Sequence, residues 1–124
     1  MAKPSATTNE QTRLSRRIRA FYRDFNQKRW DACFDRLDPK LKQERVDRDA
    51  YVACLTSFFD KYGPIDVESL KLALYLDVAN NKHDERPFAY GTLQWRDKRQ
   101  KVHVLRERWV NSSGVWYTRM VGMI

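Results

Sequence analysis

The last third of the chain constrains the fold most. From Arg86 to Ile124 it contains PFAYGTLQWRD, KVHVLRERWV, NSSG and VWYTRMVGM in succession. Runs rich in β-branched and aromatic residues, broken by polar or glycine-containing segments, predict three strands joined by tight turns. Asn111-Ser112-Ser113-Gly114 is the clearest reversal, because Asn and Gly accept the positive φ that a tight hairpin demands. No stretch carries a catalytic or cofactor motif.

The segments before this sheet read as helices. Residues 1 to 9 are small, polar and proline-containing, which predicts a loose tail ahead of a single domain over 10–124. From Asn9, Leu14, Ile18, Phe21, Tyr22 and Phe25 recur at helical spacing. Arg13, Arg16, Arg19 and Arg23 fall opposite them and Arg17 on the flank, giving an amphipathic helix with an arginine face. Trp30, Cys33, Phe34 and Leu37 predict a shorter second helix, broken at Asp38-Pro39, with Pro39 suited to open one more helical turn. Asp47 is placed to cap a third helix carrying Tyr51, Val52, Leu55, Phe58 and Phe59, which stops at Gly63-Pro64. From Val67 the period becomes 2: Leu70, Leu72, Leu74, Leu76 and Val78 alternate with Lys71, Ala73, Tyr75, Asp77 and Ala79, as in a half-buried strand. Asn80 to Glu85 reads as a polar loop. The expected class is α+β, with three N-terminal helices packed on one face of a curved, mainly antiparallel four-stranded sheet.

Charge and composition narrow the chemistry. The 124 residues hold 24 Lys and Arg against 16 Asp and Glu, a net charge of +8. That balance favours anionic partners, or simply keeps the chain soluble. Cys33 and Cys54 are too few for a disulfide framework or a cysteine-rich zinc site, and read as small core residues in a reducing compartment. His83 and His103 fall in no metal-ligand spacing. No serine has flanking glycines, and four glycines in all make no phosphate-cradling loop, so no metal or cofactor is expected. The polar start predicts no secretory signal and no apolar run is long enough for a membrane span, so a cytoplasmic location is expected.

Three segments resemble the nuclear transport factor 2-like superfamily. FYRDFNQKRWDACFDRLDPKLK (Phe21 to Lys42) is similar to its opening of a long helix, a short polar break, an aromatic and a second helix. DAYVACLTSFFDKYGPI (Asp49 to Ile65) is similar to its third helix. RERWVNSSGVWYTRMV (Arg106 to Val121) resembles its closing hairpin, with Trp-Val before a glycine-containing turn and a Trp opening the last strand. The resemblance implies a cone whose sheet and helices enclose a pocket, and a homodimer through the outer sheet face. Enzymes of this superfamily place an Asp, His or Tyr in that pocket, whereas other members only bind ligands or proteins, so the fold does not choose among functions.

Alternation assigns side chains to the two sheet faces. Leu93, Trp95, Leu105, Glu107, Trp109, Trp116, Thr118 and Met120 should share the concave face, and Tyr90, Thr92, Gln94, Arg96, Arg106, Arg108, Tyr117 and Arg119 the outer one. An apolar ligand would then meet Trp95, Trp109, Trp116, Phe58 and Met120, with Phe25 and Phe59 behind them, unless these rings simply fill the core. Glu107, desolvated between apolar neighbours with His103 on the same side, is a candidate general acid or base; at the rim or paired to an arginine it would be neither. Asp77 and Tyr75 form a weaker pair, since the leucine alternation turns them away from the core. Tyr90, Arg96, Arg106, Arg108, Tyr117 and Arg119 are of the residue types that anchor protein interfaces, and also suit single-stranded nucleic acid. The expectation is a non-catalytic domain, homodimeric, binding a small apolar ligand or a partner protein. The alternatives are a cofactor-independent isomerase, dehydratase or cyclase, and a basic nucleic-acid-binding module.

Overall fold

The computed structural model describes residues 3–44, 46–77 and 86–119. Met120, the Asn80 to Glu85 loop with His83, and the side chain of Asp77 lie outside the described residues. The chain is α+β: α1 Lys3–Asn26, α2 Trp30–Asp35, α3 Pro39–Glu44, α4 Arg48–Tyr62, β1 Lys71–Asp77, β2 Phe88–Arg96, β3 Val102–Ser112 and β4 Val115–Thr118. The strands follow one another as an open antiparallel meander, β1-β2-β3-β4.

One expectation changes at the helices. α1 runs from Lys3 to Asn26. Pro4 falls in its first turn, where a missing N–H costs nothing. The turn expected at Pro39 is a helix of its own, making four helices rather than three. Asp38 organises it. Its carboxylate accepts from Lys40 N, and its carbonyl accepts from Leu41 N and Lys42 N. α4 starts and stops where the sequence says. Asp47 accepts from Ala50 N at 2.8 Å, and Gly63 ends the helix at φ 72°, donating its N–H to Phe59 O.

In α1 the apolar stripe Leu14, Ile18, Phe21, Tyr22 and Phe25 is fully buried against the inner sheet face. Its arginines do not simply face water. Arg19 donates to the carbonyls of Val67 and Leu70 before β1, while Arg13 and Arg17 donate to Gly114 O and Trp116 O on the β3–β4 hairpin. Guanidiniums thus tie the helix to both sides of the sheet. The hairpin turn is tighter than the four residues NSSG suggest: Ser112 pairs with Val115, and Ser113 and Gly114 form a two-residue loop with φ 55° and 88°. Positive φ at both centres matches the strand twist.

The α2–α3 link lies along the edge of β4. Leu37 bridges Thr118 in parallel, Asp38 N donates to Thr118 O, and Thr118 N donates to Arg36 O. That edge of the sheet is therefore hydrogen-bonded by a non-strand segment.

Candidate functional site

Along β3 the inward side chains are His103, Leu105, Glu107 and Trp109, as alternation requires. Glu107 is the one carboxylate on this buried row. It lies opposite Gly91 of β2, whose missing side chain leaves room: a Cβ there would sit 3.8 Å from Glu107 Cγ and 3.4 Å from Leu74 Cδ2. Only 6% of the residue is exposed. Both oxygens are engaged. Tyr22 Oη donates to Oε2 and Trp109 Nε1 donates to Oε1, each at 2.8 Å. Burial raises the carboxyl from its ordinary 4.5 to about 7, against the two hydrogen bonds, which pull it down. Burial and the neighbouring Glu107 push the Tyr22 hydroxyl well up, so it stays a donor. Tyr51, in the same interior, is also raised by burial, and its hydroxyl has no hydrogen-bond partner among the described residues.

His103 is not part of this arrangement. It pairs with Trp95 and Glu107 with Gly91, four positions apart along the ladder, which is roughly 13 Å of strand. His103 Nε2 lies 2.7 Å from Asp97 Oδ2, and its ring packs against Tyr62 and Trp95. An ionised carboxylate only accepts, so Nε2 carries the proton. The hydrogen bond from His103 holds Asp97 below the usual carboxylate range. Asp97 also accepts from Arg99 N and Lys101 N, so this pair closes the β2–β3 turn. The gap beside it, walled by Phe58, Tyr62, Trp95, His103 and Leu105, holds about 70 Å³. Tyr75 is 66% exposed on the face away from the helices, and does not join Glu107.

The expected ligand wall does not converge on one cavity. Trp109 is fully buried, edge-on to Phe21. Trp116 lines a cleft beside α1, and Trp95 with Phe58 lines the 70 Å³ gap. Phe25 meets Tyr22, Trp30, Phe58 and Phe59 ring to ring. The space enclosed by helices and sheet is occupied by aromatic side chains, the cheapest way for so short a chain to close its core.

The outer face is where apolar surface remains open. In register, Tyr75 lies beside Tyr90 and Tyr90 beside Arg108. The Arg108 guanidinium stacks over Tyr90 and Phe88 at 5.7 and 5.5 Å. Tyr90 is 42%, Val102 41% and Val104 60% exposed. Arg96 is exposed and donates to Gln100 O, and Arg106 is exposed beside Thr92. Toward β4 the face is closed rather than open. Arg119 stacks on Phe88 and lies 3.7 Å from buried Asp38, which Arg86 holds through two bonds of 2.7 and 2.9 Å. Tyr117 lies under the Arg17 guanidinium. Arg119 and Tyr117 are therefore engaged within the domain.

Sequence reasoning missed Tyr22, Asp38 and Asp97. A tyrosine inside an apolar stripe needs a partner for its hydroxyl, and that need was the available signal for Tyr22. Among the described residues no group of three or more His, Cys, Asp or Glu is placed to hold a metal ion. No helix among them is long and apolar enough to cross a membrane. In comparison with known proteins, the chain matches no family model, no curated protein and no solved structure.

Proposed function

We propose that this chain is a non-catalytic binding module of the nuclear transport factor 2-like kind, which pairs with a second copy of itself through the outer face of its sheet. The observation that carries this reading is the exposure of Tyr75 beside Tyr90 and, four positions along the ladder past Thr92 and Arg106, of Val104 and Val102, on the sheet face that no helix covers among the described residues. Outward positions of a one-sided sheet are ordinarily polar, and two apolar patches on one such face mark a contact area. Tyrosine and stacked arginine are the side chains that anchor interfaces, and Arg108 over Tyr90 is already ordered for that role. The filled interior favours the partner-protein form of the reading over the apolar-ligand form. The proton-transfer alternative would run through Glu107, whose oxygens already accept two hydrogen bonds, and it stands second.

The test is sedimentation equilibrium at low and high salt on the native chain and on Val104→Glu. A dimer that survives salt and becomes monomeric in the variant supports the reading. A monomer at all concentrations overturns it. A monomer that binds a single-stranded oligonucleotide with steep salt dependence moves the same face, with Lys71, Arg96 and Arg106 on it, to the nucleic-acid reading.

A further inference from the structure

A cleft lies between α1 and the β3–β4 hairpin. It holds about 470 Å³ and is lined by Arg13, Arg16, Arg17, Ala20, Val115 and Trp116, with Gly114 at the turn. That volume lies in the range of small-molecule sites. Three guanidiniums line it, and no carboxylate does.

The arginines come from one helix face, spaced i, i+3 and i+4. Two are held in place by the hairpin backbone: Arg13 Nη2 donates to Gly114 O at 2.7 Å, and Arg17 Nε donates to Trp116 O at 2.9 Å. Arg13 also pairs with Glu10 one turn earlier on the helix. The Arg17 guanidinium stacks 5.6 Å over Tyr117, and among the described residues its terminal nitrogens meet no acceptor. Arg16 is exposed and makes no ion pair among the described residues. Burial, and then the charge of Arg36, hold Arg17 below the ordinary arginine range. Arg36 itself pairs with Asp24. A partly desolvated cation beside another cation lacks a counter-charge that an arriving anion would supply.

We infer that this cleft binds a phosphorylated small molecule with a flat apolar body, the phosphate on the arginines and the body over Ala20, Val115 and Trp116. A carboxylate is satisfied by one bidentate arginine, whereas a phosphate has oxygens and charge enough for several. Anchored guanidiniums lose little freedom when they engage it. The apolar lining distinguishes the cleft from a bare anion site, because Ala20, Val115 and Trp116 all border it.

The probe is phenyl phosphate, titrated calorimetrically into the native chain beside inorganic phosphate and benzoate. Saturable one-site binding, tighter for phenyl phosphate than for either control, is expected. Arg16→Glu, which breaks no described contact, should weaken it by about tenfold or more, the loss of a charge-assisted bond. Arg106→Glu on the outer face makes the same change in net charge and should leave it unaltered. No saturation, or equal weakening by both variants, overturns the site. Inorganic phosphate binding as tightly as phenyl phosphate overturns the apolar body.

Discussion

The Tyr22 hydroxyl and the Glu107 carboxylate, 85 positions apart in sequence, meet at 2.8 Å inside the fold. The bond links the C-terminal part of α1 to the middle of β3, and Trp109 supplies the second donor to the same carboxylate. Burial favours the protonated form of this acid against the pull of the two donors, and that has a consequence for pH.

Glu107 titrates near 4.5 ordinarily and at about 7 in the folded chain. The folded state therefore holds this proton more tightly than the unfolded state. Its contribution to stability is fully present below pH 4.5, falls between 4.5 and about 7, and is absent above that. The full difference is on the order of 3 kcal/mol. Urea unfolding at pH 5 and pH 8 should show the loss in the native chain. In Glu107→Gln, where the amide oxygen accepts from Trp109 and the amide nitrogen donates to Tyr22, the difference should shrink. An equal slope in both proteins would remove Glu107 as its source.

Asp38 is buried without exposure, and it answers Arg86, Arg119 and the N–H of Lys40 at once. Asp38→Ala removes the buried carboxylate that Arg86 and Arg119 share and uncaps α3, so a loss of about 3–5 kcal/mol is expected. A double-mutant cycle with Arg86→Ala should recover a coupling of about 1 kcal/mol or more. Additive losses would mean that the pair is only adjacent.

Gly63 carries φ 72° and ψ −167° with nothing within 4 Å of where a Cβ would stand. The cost of a side chain there is purely backbone strain. Gly63→Ala should lower stability by about 1–3 kcal/mol. An unchanged denaturation midpoint would show that the end of α4 has another conformation.

The two cysteines should part company in reactivity. Burial, with Asp24 nearby, pushes the Cys33 thiol up to about 12, while Cys54 is half-exposed on α4. Maleimide at neutral pH should label one thiol per native chain and two in denaturant, with Cys54→Ala removing the native signal. Native labelling at Cys33 would contradict its burial.

The sheet was readable because its period is 2. Once Leu93 and Trp95 are inward, Glu107 and Trp109 follow on the neighbouring strand, and the structure buries them all. The ends of α4 were readable for a similar local reason, since Asp47 and Gly63 act within a turn of themselves. The partner of Tyr22 was not. It depends on how α1 lies over β3, which no local spacing encodes. Asp38 reads as a helix break from its neighbour Pro39, but its service to Arg86, 48 positions on, exists only after the edge of β4 has docked. The aromatic wall was placed on the correct face, and only packing shows that the helices fill the space in front of it.

The α2–α3 link along β4 also limits how this protein can assemble. A sheet with two free edges can recruit strands from both sides and grow into a filament without end. Here the Thr118 backbone is already occupied by Arg36 and Asp38, which leaves β1 as the available flank among the described residues. A strand arriving at β4 would have to displace that link at Thr118, so the segment that shapes the fold also hinders growth of the sheet past this edge.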